Sequence, residues 1–240
     1  MGKGIYVATS GSMAQLRQME QLSNNLANSR TAGFKADRMT FNEVLANNRN
    51  IEGSNERDKH YVDVETIAPD LSTGPLSRTD NPLDVAITGN GLLRVETDRG
   101  VRLTRGGQLM LGRDGTLRTV TGHAVLNQKD ERIILPPDSV PEIDDDGAIW
   151  TDHGMLGRLG LSTVDLAQGL QKDPDGLFIP GRETPPSADM KVLQGHIEES
   201  NSSPVRMMLD LIRVQRTFSA LRQVITASGE MDQLASRLPR

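Results

Sequence analysis

Apolar positions fall into three regimes along the chain, helical at both ends and strand-like between them. From Ile5 to Leu26 a stripe runs through Ile5, Thr9, Ser12, Leu16, Met19, Ser23 and Leu26, with Ala8, Met13 and Leu22 beside it. Steps alternating four and three are those of a coiled-coil seam, and they predict a helix roughly 33 Å long at about 1.5 Å per residue. Near the other end, Ser203 and Pro204 read as an N-cap followed by the first helical residue, because the serine oxygen can accept an orphan amide and proline has none to offer. Beyond them Met207, Leu211, Val214, Phe218, Leu221 and Ile225 keep the same alternation without a miss, and Val205, Met208 and Ile212 widen the stripe. The pattern resumes after Gly229 as Met231, Leu234 and Leu238, longer than an ordinary globular helix, so the seam calls for a partner along its length.

Between the ends the apolar residues shorten into runs separated by turns: Leu83 to Ile87, Gly91 to Glu96, Val101 to Thr104, Gln108 to Leu111, Thr116 to Val120 and Arg132 to Leu135. These predict strands. Asp-Gly pairs at Asp114-Gly115, Asp146-Gly147 and Asp175-Gly176 predict hairpins or tight turns, and their uneven spacing argues against a repeat array. Phe41 to Asp80 is polar, with Asn47, Asn48, Asn50, Gly53, Ser54 and Asn55 and little periodicity, and reads as an extended arm. Pro185 and Pro186 make 180–188 a second hinge candidate. The predicted class is α+β: a central, mostly-β domain with long N- and C-terminal helices that pair as a coiled coil. The predicted divisions are 1–35 for the first helix and its Asn/Gly-rich turn, 36–80 for a linker or arm, 81–188 for the β domain, and 189–240 for a return segment and the last helix.

Composition narrows the function. At 240 residues the chain has material for a real core, yet only 36% is hydrophobic and 3% aromatic, which disfavours a thick enzyme interior. A formal charge of −5 works against a nucleic-acid partner. Without cysteine there are no disulfides and no thiolate ligands or nucleophiles. Met1 to Leu16 is broken by Gly2, Lys3, Gly4, Ser10, Gly11 and Ser12, so neither a cleaved secretory signal nor direct membrane insertion is expected.

Candidate chemistry is sparse. Asp144, Asp145 and Asp146 with His153 could bind a cation or act as acid and base, but neighbouring side chains on a strand point to opposite faces and no calcium-loop spacing follows. A solvated turn explains them better. His60, His123, His153 and His196 stand apart without metal-ligand spacing. Ser10-Gly11-Ser12 and Gly89-Asn90-Gly91 lack the glycine and lysine pattern of a phosphate loop. Glu198, Glu199 and Ser200, just upstream of the last helix, are expected to favour its positive end. No catalytic, metal or cofactor residue is predicted. Two functional classes remain: a subunit that assembles through its helical ends, favoured by the small residues in the first stripe, and a monomeric β module that binds carbohydrate or peptide. A hydrolase built on the central aspartates comes third.

Four blocks sharpen this. Leu22-Ser23-Asn24-Asn25-Leu26-Ala27-Asn28, followed by Thr31, Gly33, Phe34 and Lys35, resembles the N-terminal signature of bacterial flagellar rod and hook proteins. Asn81 to Gly91, Thr104-Arg105 with Gly107, and Gly195-His196-Ile197-Glu198-Glu199-Ser200-Asn201 are similar to the same family in the same order. Leu92-Leu93 takes the place of a common aromatic pair, Leu103 stands where tyrosine is frequent, and Ser202 replaces a frequent valine. The short stretch from Phe41 to Asp80 fits the proximal-rod type better than a distal-rod subunit with its insertion. The resemblance implies a structural subunit of a hollow helical shaft, exported unfolded through the flagellar type III apparatus without a cleaved signal and assembled in the periplasm. Its partners would be distal-rod and small proximal-rod subunits and copies of itself, with no cofactor and no catalysis. The implied assembly interface is Ile5, Leu16, Met19, Leu22 and Leu26 with Met207, Leu211, Val214, Phe218, Leu221 and Ile225. The turn from Asn24 to Gly33 would end the first helix, a role that asparagine and glycine chemistry also supports.

Overall fold

A computed structural model describes residues 2–46, 59–137, 139–164, 170–181, 183–184 and 190–237. The helix predicted from the first stripe is α1 (Gly2–Ala27), and the one predicted from Pro204 is α2 (Pro204–Arg237). The N–H of Met207 donates to the Ser203 carbonyl at 2.9 Å, which closes the first turn of α2 where the Ser-Pro pair places it. Gly229 does not interrupt the helix. Asn47, Asn48, Asn50, Gly53, Ser54, Asn55, Pro185, Pro186 and Leu238, and the side chains of Ile5 and Leu234, lie outside the described residues.

The chain divides into two compact units. One comprises 1–27, 37–67 and 203–240, and the other 28–36 and 68–202. In the first unit α1 and α2 pack against each other, joined by β1 (Asp37–Ala46) and β2 (Lys59–Pro69), which pair as a two-stranded sheet. The polar stretch that reads as an arm is therefore strand on both sides. In the sequence, apolar and polar residues do not alternate cleanly there, so no period-2 signal marks the strands.

The second unit holds a core of short strands. β3 (Leu76–Arg78), β4 (Val85–Ile87), β5 (Gly91–Thr97), β6 (Gly100–Thr104), β7 (Leu109–Leu111), β8 (Leu117–Thr119) and β9 (Ala124–Val125) follow in order. Then come β10 (Glu142–Ile143), β11 (Ala148–Thr151), β12 (Gly154–Arg158), β13 (Leu161–Val164), β14 (Glu183–Thr184), β15 (Val192–Gln194) and β16 (His196–Glu198). A seven-stranded sheet runs β14-β13-β5-β9-β8-β7, with β6 pairing on the other edge of β5. In that pairing Leu93 faces Thr104 and Val95 faces Arg102. β10, β11 and β12 form a second sheet, and β4 pairs with β15 and β3 with β16. The run from Arg132 to Leu135 makes only isolated bridges, Leu126 to Arg132 and Thr116 to Ile134.

The largest apolar cluster is built from Val85, Ile87, Leu93, Val95, Val125, Ile149, Leu159, Val192 and their neighbours, and a smaller one from Leu92, Leu103, Leu170 and Phe178. Leu92-Leu93 and Leu103, where the resemblance leads one to expect aromatics, are thus buried core leucines. The Asp-Gly pairs make tight turns, with Gly147 donating to Asp144 at 2.8 Å and Gly176 to Asp173 at 3.0 Å. Residues 190–202, from the segment 189–240 expected to belong with the last helix, instead close the β unit through β15 and β16.

Candidate assembly interface

On α2 the predicted stripe is the sheltered face: Val214 is buried, and Met207, Leu211, Phe218, Leu221 and Ile225 are half-buried. Leu221 meets α1, for a Cβ on Gly11 would lie 3.7 Å from its Cδ1. Small residues dominate the corresponding face of α1, where Ala8, Ser12 and Leu22 are buried and Met19 and Leu26 half-buried. Thr9, Leu16 and Ser23, which the strict alternation places in the seam, are exposed. A straight helix at 3.6 residues per turn drifts about 20° per heptad against a 3.5 repeat, so the face in use shifts from one set of positions to its neighbours.

The other side of α2 carries an apolar set left largely exposed among the described residues. Val205, Met208, Leu209, Ile212, Val224 and Met231 are between 46% and 68% exposed, far beyond what a helix lying on its own core shows. On α1, Val7, Met13 and Leu16 are likewise exposed. Periodicity alone could not separate the two faces, because both hold large apolar residues; the small residues of α1 decide which face it takes.

The motif residues do different work. Asn25 is 2% exposed and grips the start of β1 in both directions: its Nδ2 donates to the Asp37 carbonyl and the Asp37 N–H donates to its Oδ1, each at 3.0 Å. Gln21 adds a bond to the same carbonyl. Ser23, Asn24 and Ala27 are exposed. After the helix stops, Thr31 N–H returns to the Asn28 carbonyl at 3.1 Å and Phe34 N–H to the Thr31 carbonyl at 3.2 Å, which reverses the chain.

Within the β unit the remaining motif blocks converge. Glu198, on β16, is 1% exposed, and its Oε1 accepts from Lys35 Nζ at 2.5 Å and from the Gly74 N–H at 2.7 Å. Its Oε2 accepts from Arg105 Nε at 2.5 Å. Arg105 also donates to the carbonyls of Ile87, at 2.5 Å, and Gly91, and Lys35 to that of Ser72, at 2.8 Å. Burial works to raise the Glu198 carboxyl, but the Arg105 charge and the bonds from Lys35, Arg105 and Gly74 outweigh it and hold it below the ordinary range. Burial likewise pulls the Lys35 ammonium below its usual value, against the attraction of Glu198 and with repulsion from Arg105 adding to it. Glu198 is therefore no helix-end charge, as its position upstream of α2 suggests, but the anion of a buried cluster.

Neighbouring motif residues brace it. Asn201 accepts the Ala36 N–H at 2.8 Å and donates to the Asp70 carbonyl at 2.8 Å. Gly33 donates to the Glu198 carbonyl at 2.7 Å, and a side chain there would overlap the backbone of Arg105 and Gly106. Lys172 lies 4.7 Å over the Phe34 ring and donates to the Lys35 carbonyl at 2.6 Å. Glu199 is exposed, and the buried Ser200 hydroxyl pairs with that of Ser202 at 2.8 Å. A pairing across 163 residues, as between Lys35 and Glu198, leaves no periodic trace; only the occurrence of lysine, arginine and glutamate within the motif blocks hints at it.

The aspartates have ordinary partners: Asp144 accepts Trp150 Nε1 at 2.8 Å, Asp146 pairs with Arg158 at 2.8 Å, and Asp145 with Lys191 at 3.4 Å. Among the described residues no cluster of histidine and carboxylates is suited to a metal ion, and no helix is long and apolar enough to cross a membrane.

Comparison with known proteins matches both ends of the chain to family models. Residues 5–35 match "Flagella basal body rod protein" and residues 193–238 match "Flagellar basal body rod FlgEFG protein C-terminal". The chain is 30% identical over 238 residues to the flagellar basal-body rod protein FlgF of Mesorhizobium japonicum, covering 96% of each. To FlgF of Rhizobium meliloti it is 32% identical over 243 residues, covering 99% of this chain and 98% of the other. To the flagellar basal-body rod protein FlgG of Agrobacterium fabrum it is 30% identical over 263 residues, covering 98% of each.

Proposed function

The chain belongs to the flagellar basal-body rod protein family and is an FlgF-like structural subunit of the rod, and we propose that it occupies the proximal rod and is held there by the outer face of α2. Membership places it in the flagellar basal body, assembled with other rod components. The proximal assignment is supported by the FlgF proteins of Mesorhizobium japonicum and Rhizobium meliloti, which align with 96% and 99% of this chain at 30% and 32% identity.

In this reading α1 and α2 run antiparallel as a coiled-coil pair within one subunit, closed by Leu221, Val214 and their stripe against the small residues of α1. The apolar set left outside, Val205, Met208, Leu209, Ile212 and Val224, then meets the helices of adjoining subunits and builds the wall of a hollow drive shaft. Its exposure is the observation that carries the proposal. Burying a leucine-sized side chain is worth about 1.5–3 kcal/mol, so five such residues offset a large part of the cost of ordering a subunit in the shaft. The subunit reaches the periplasm unfolded through the flagellar export apparatus and contacts distal-rod and small proximal-rod subunits there. It performs no catalysis.

Replacing Leu209 and Ile212 by aspartate in a motile strain tests this. The purified variant should keep its helix content while cells lose rod assembly and swimming. Full motility with the double variant incorporated would exclude the outer face as the interface.

A further inference from the structure

The Lys35–Arg105–Glu198 cluster ties segments that lie outside the apolar core to that core, which Arg105 reaches through the carbonyls of Ile87 and Gly91. Neither β3 nor β16 places a residue in either apolar cluster, and residues 33–36 place none there either. These segments are held by backbone pairing, of which Glu198 to Leu76 and His196 to Arg78 are the ends, and by one carboxylate that three donors share. Without that anion two cations would stay buried among carbonyl oxygens, with only the charge of Asp70 left to attract Lys35, a state far costlier than the paired one.

The cluster's place in the chain is equally particular. Backbone passes between the two units after Ala27, Ala36, Ile67 and Ser202. Asn201 ties Ala36 to Asp70 and also donates to Ser72, whose carbonyl takes a bond from Lys35. Residues beside three of the four crossings are thus gathered on one buried charge network inside the β unit.

We propose that this network is a latch. Glu198 holds residues 33–36, 72–78 and 196–202 shut against a β core that stays folded when they open, so the points from which the chain departs toward β1 and α2 are fixed or released together. The rod reading gives this device its use, since a subunit built into a shaft needs both departures fixed, but the latch is a property of the single chain and is tested without the rod.

The test is amide hydrogen exchange, read by mass spectrometry, on the full-length chain as Glu198→Gln, as Glu198→Gln with Lys35→Met, and as Asn201→Ala, a milder cut that removes only the tie. In Glu198→Gln, residues 33–36, 72–78 and 196–202 should exchange faster by about a hundredfold or more, the equivalent of losing one partner of a buried pair, while Leu93, Val95 and Val125 remain protected. Lys35→Met should restore much of that protection in the same background, because it returns the cluster from two excess positive charges to one; a purely steric defect would not be rescued. Asn201→Ala should speed the same three segments by a smaller factor. Unchanged exchange in those segments, deprotection of the central strands alongside them, or still faster exchange on adding Lys35→Met would each overturn the latch. Any of these would leave rod membership standing, whereas an intact latch in a chain that fails to assemble would count against the assembly reading alone.

Discussion

Arg105 and Lys35 make Glu198 indispensable while adding little to stability on their own account. A buried ion cluster gains in attraction about what it loses in hydration, so its removal as a whole is mild, but removal of the single anion strands two charges. Glu198→Gln should therefore lower the opening free energy of residues 33–36, 72–78 and 196–202 by roughly 3–5 kcal/mol, while a urea titration of the core read by the single tryptophan, Trp150, should move far less. The pH dependence has a definite sign. Because the folded carboxyl lies below its ordinary value of 4.5, its contribution is complete above that value and is lost as pH falls through the folded one. Lys35 acts oppositely: its ammonium is depressed below 10.5, so below the folded value it costs stability, and that cost is relieved as pH climbs toward 10.5. Protection of those segments in the natural chain should fall on acidification below about 4.5, and Glu198→Gln should flatten that limb. Gly74 offers a steric counterpart: a Cβ there would overlap the Glu199 carbonyl, which is backbone and cannot swing aside. Gly74→Ala should destabilise by about 1–3 kcal/mol while leaving the acid limb in place, and a neutral effect would show that β3 and β16 can move apart freely.

At the scale of elements, the two faces of α2 are separable by mutation. Leu211→Asp with Phe218→Asp strikes the face turned to α1, so helix content in the isolated subunit should fall and motility with it. Leu209→Asp with Ile212→Asp strikes the outer face and should spare the helix signal in circular dichroism. Equal loss of helix in both pairs would mean that the faces are not distinct. The start of α2 and both helices were legible because Ser-Pro chemistry and a four-three alternation are local signals. The choice of face on α1 was not, since burial there goes to Ala8 and Ser12 rather than Leu16, and only the close approach of a second helix makes small residues the better seam. β1 and β2 escaped because neither alternates cleanly. β15 and β16 escaped because three-residue strands depend on partners far away in sequence, at β4 and β3. The motif blocks pointed to the right residues but not to their roles: Asn25 reads as a turn former and holds β1, and Glu198 reads as a helix-end charge and anchors the cluster.

For the whole molecule, both terminal helices and the intervening strand pair fall in one unit and the central strands in the other. A chain so divided can present one apolar surface to neighbours while a separate, conventionally packed core supplies stability of its own. Because the chain has no cysteine, a single introduced thiol can report on the outer face of α2 without background. Ile212→Cys places that thiol there, and purified basal bodies carrying it can be treated with a maleimide before and after dissociation. The thiol should be shielded in the intact rod and reactive once the rod is taken apart. Equal reactivity in both states would contradict burial of this face between subunits.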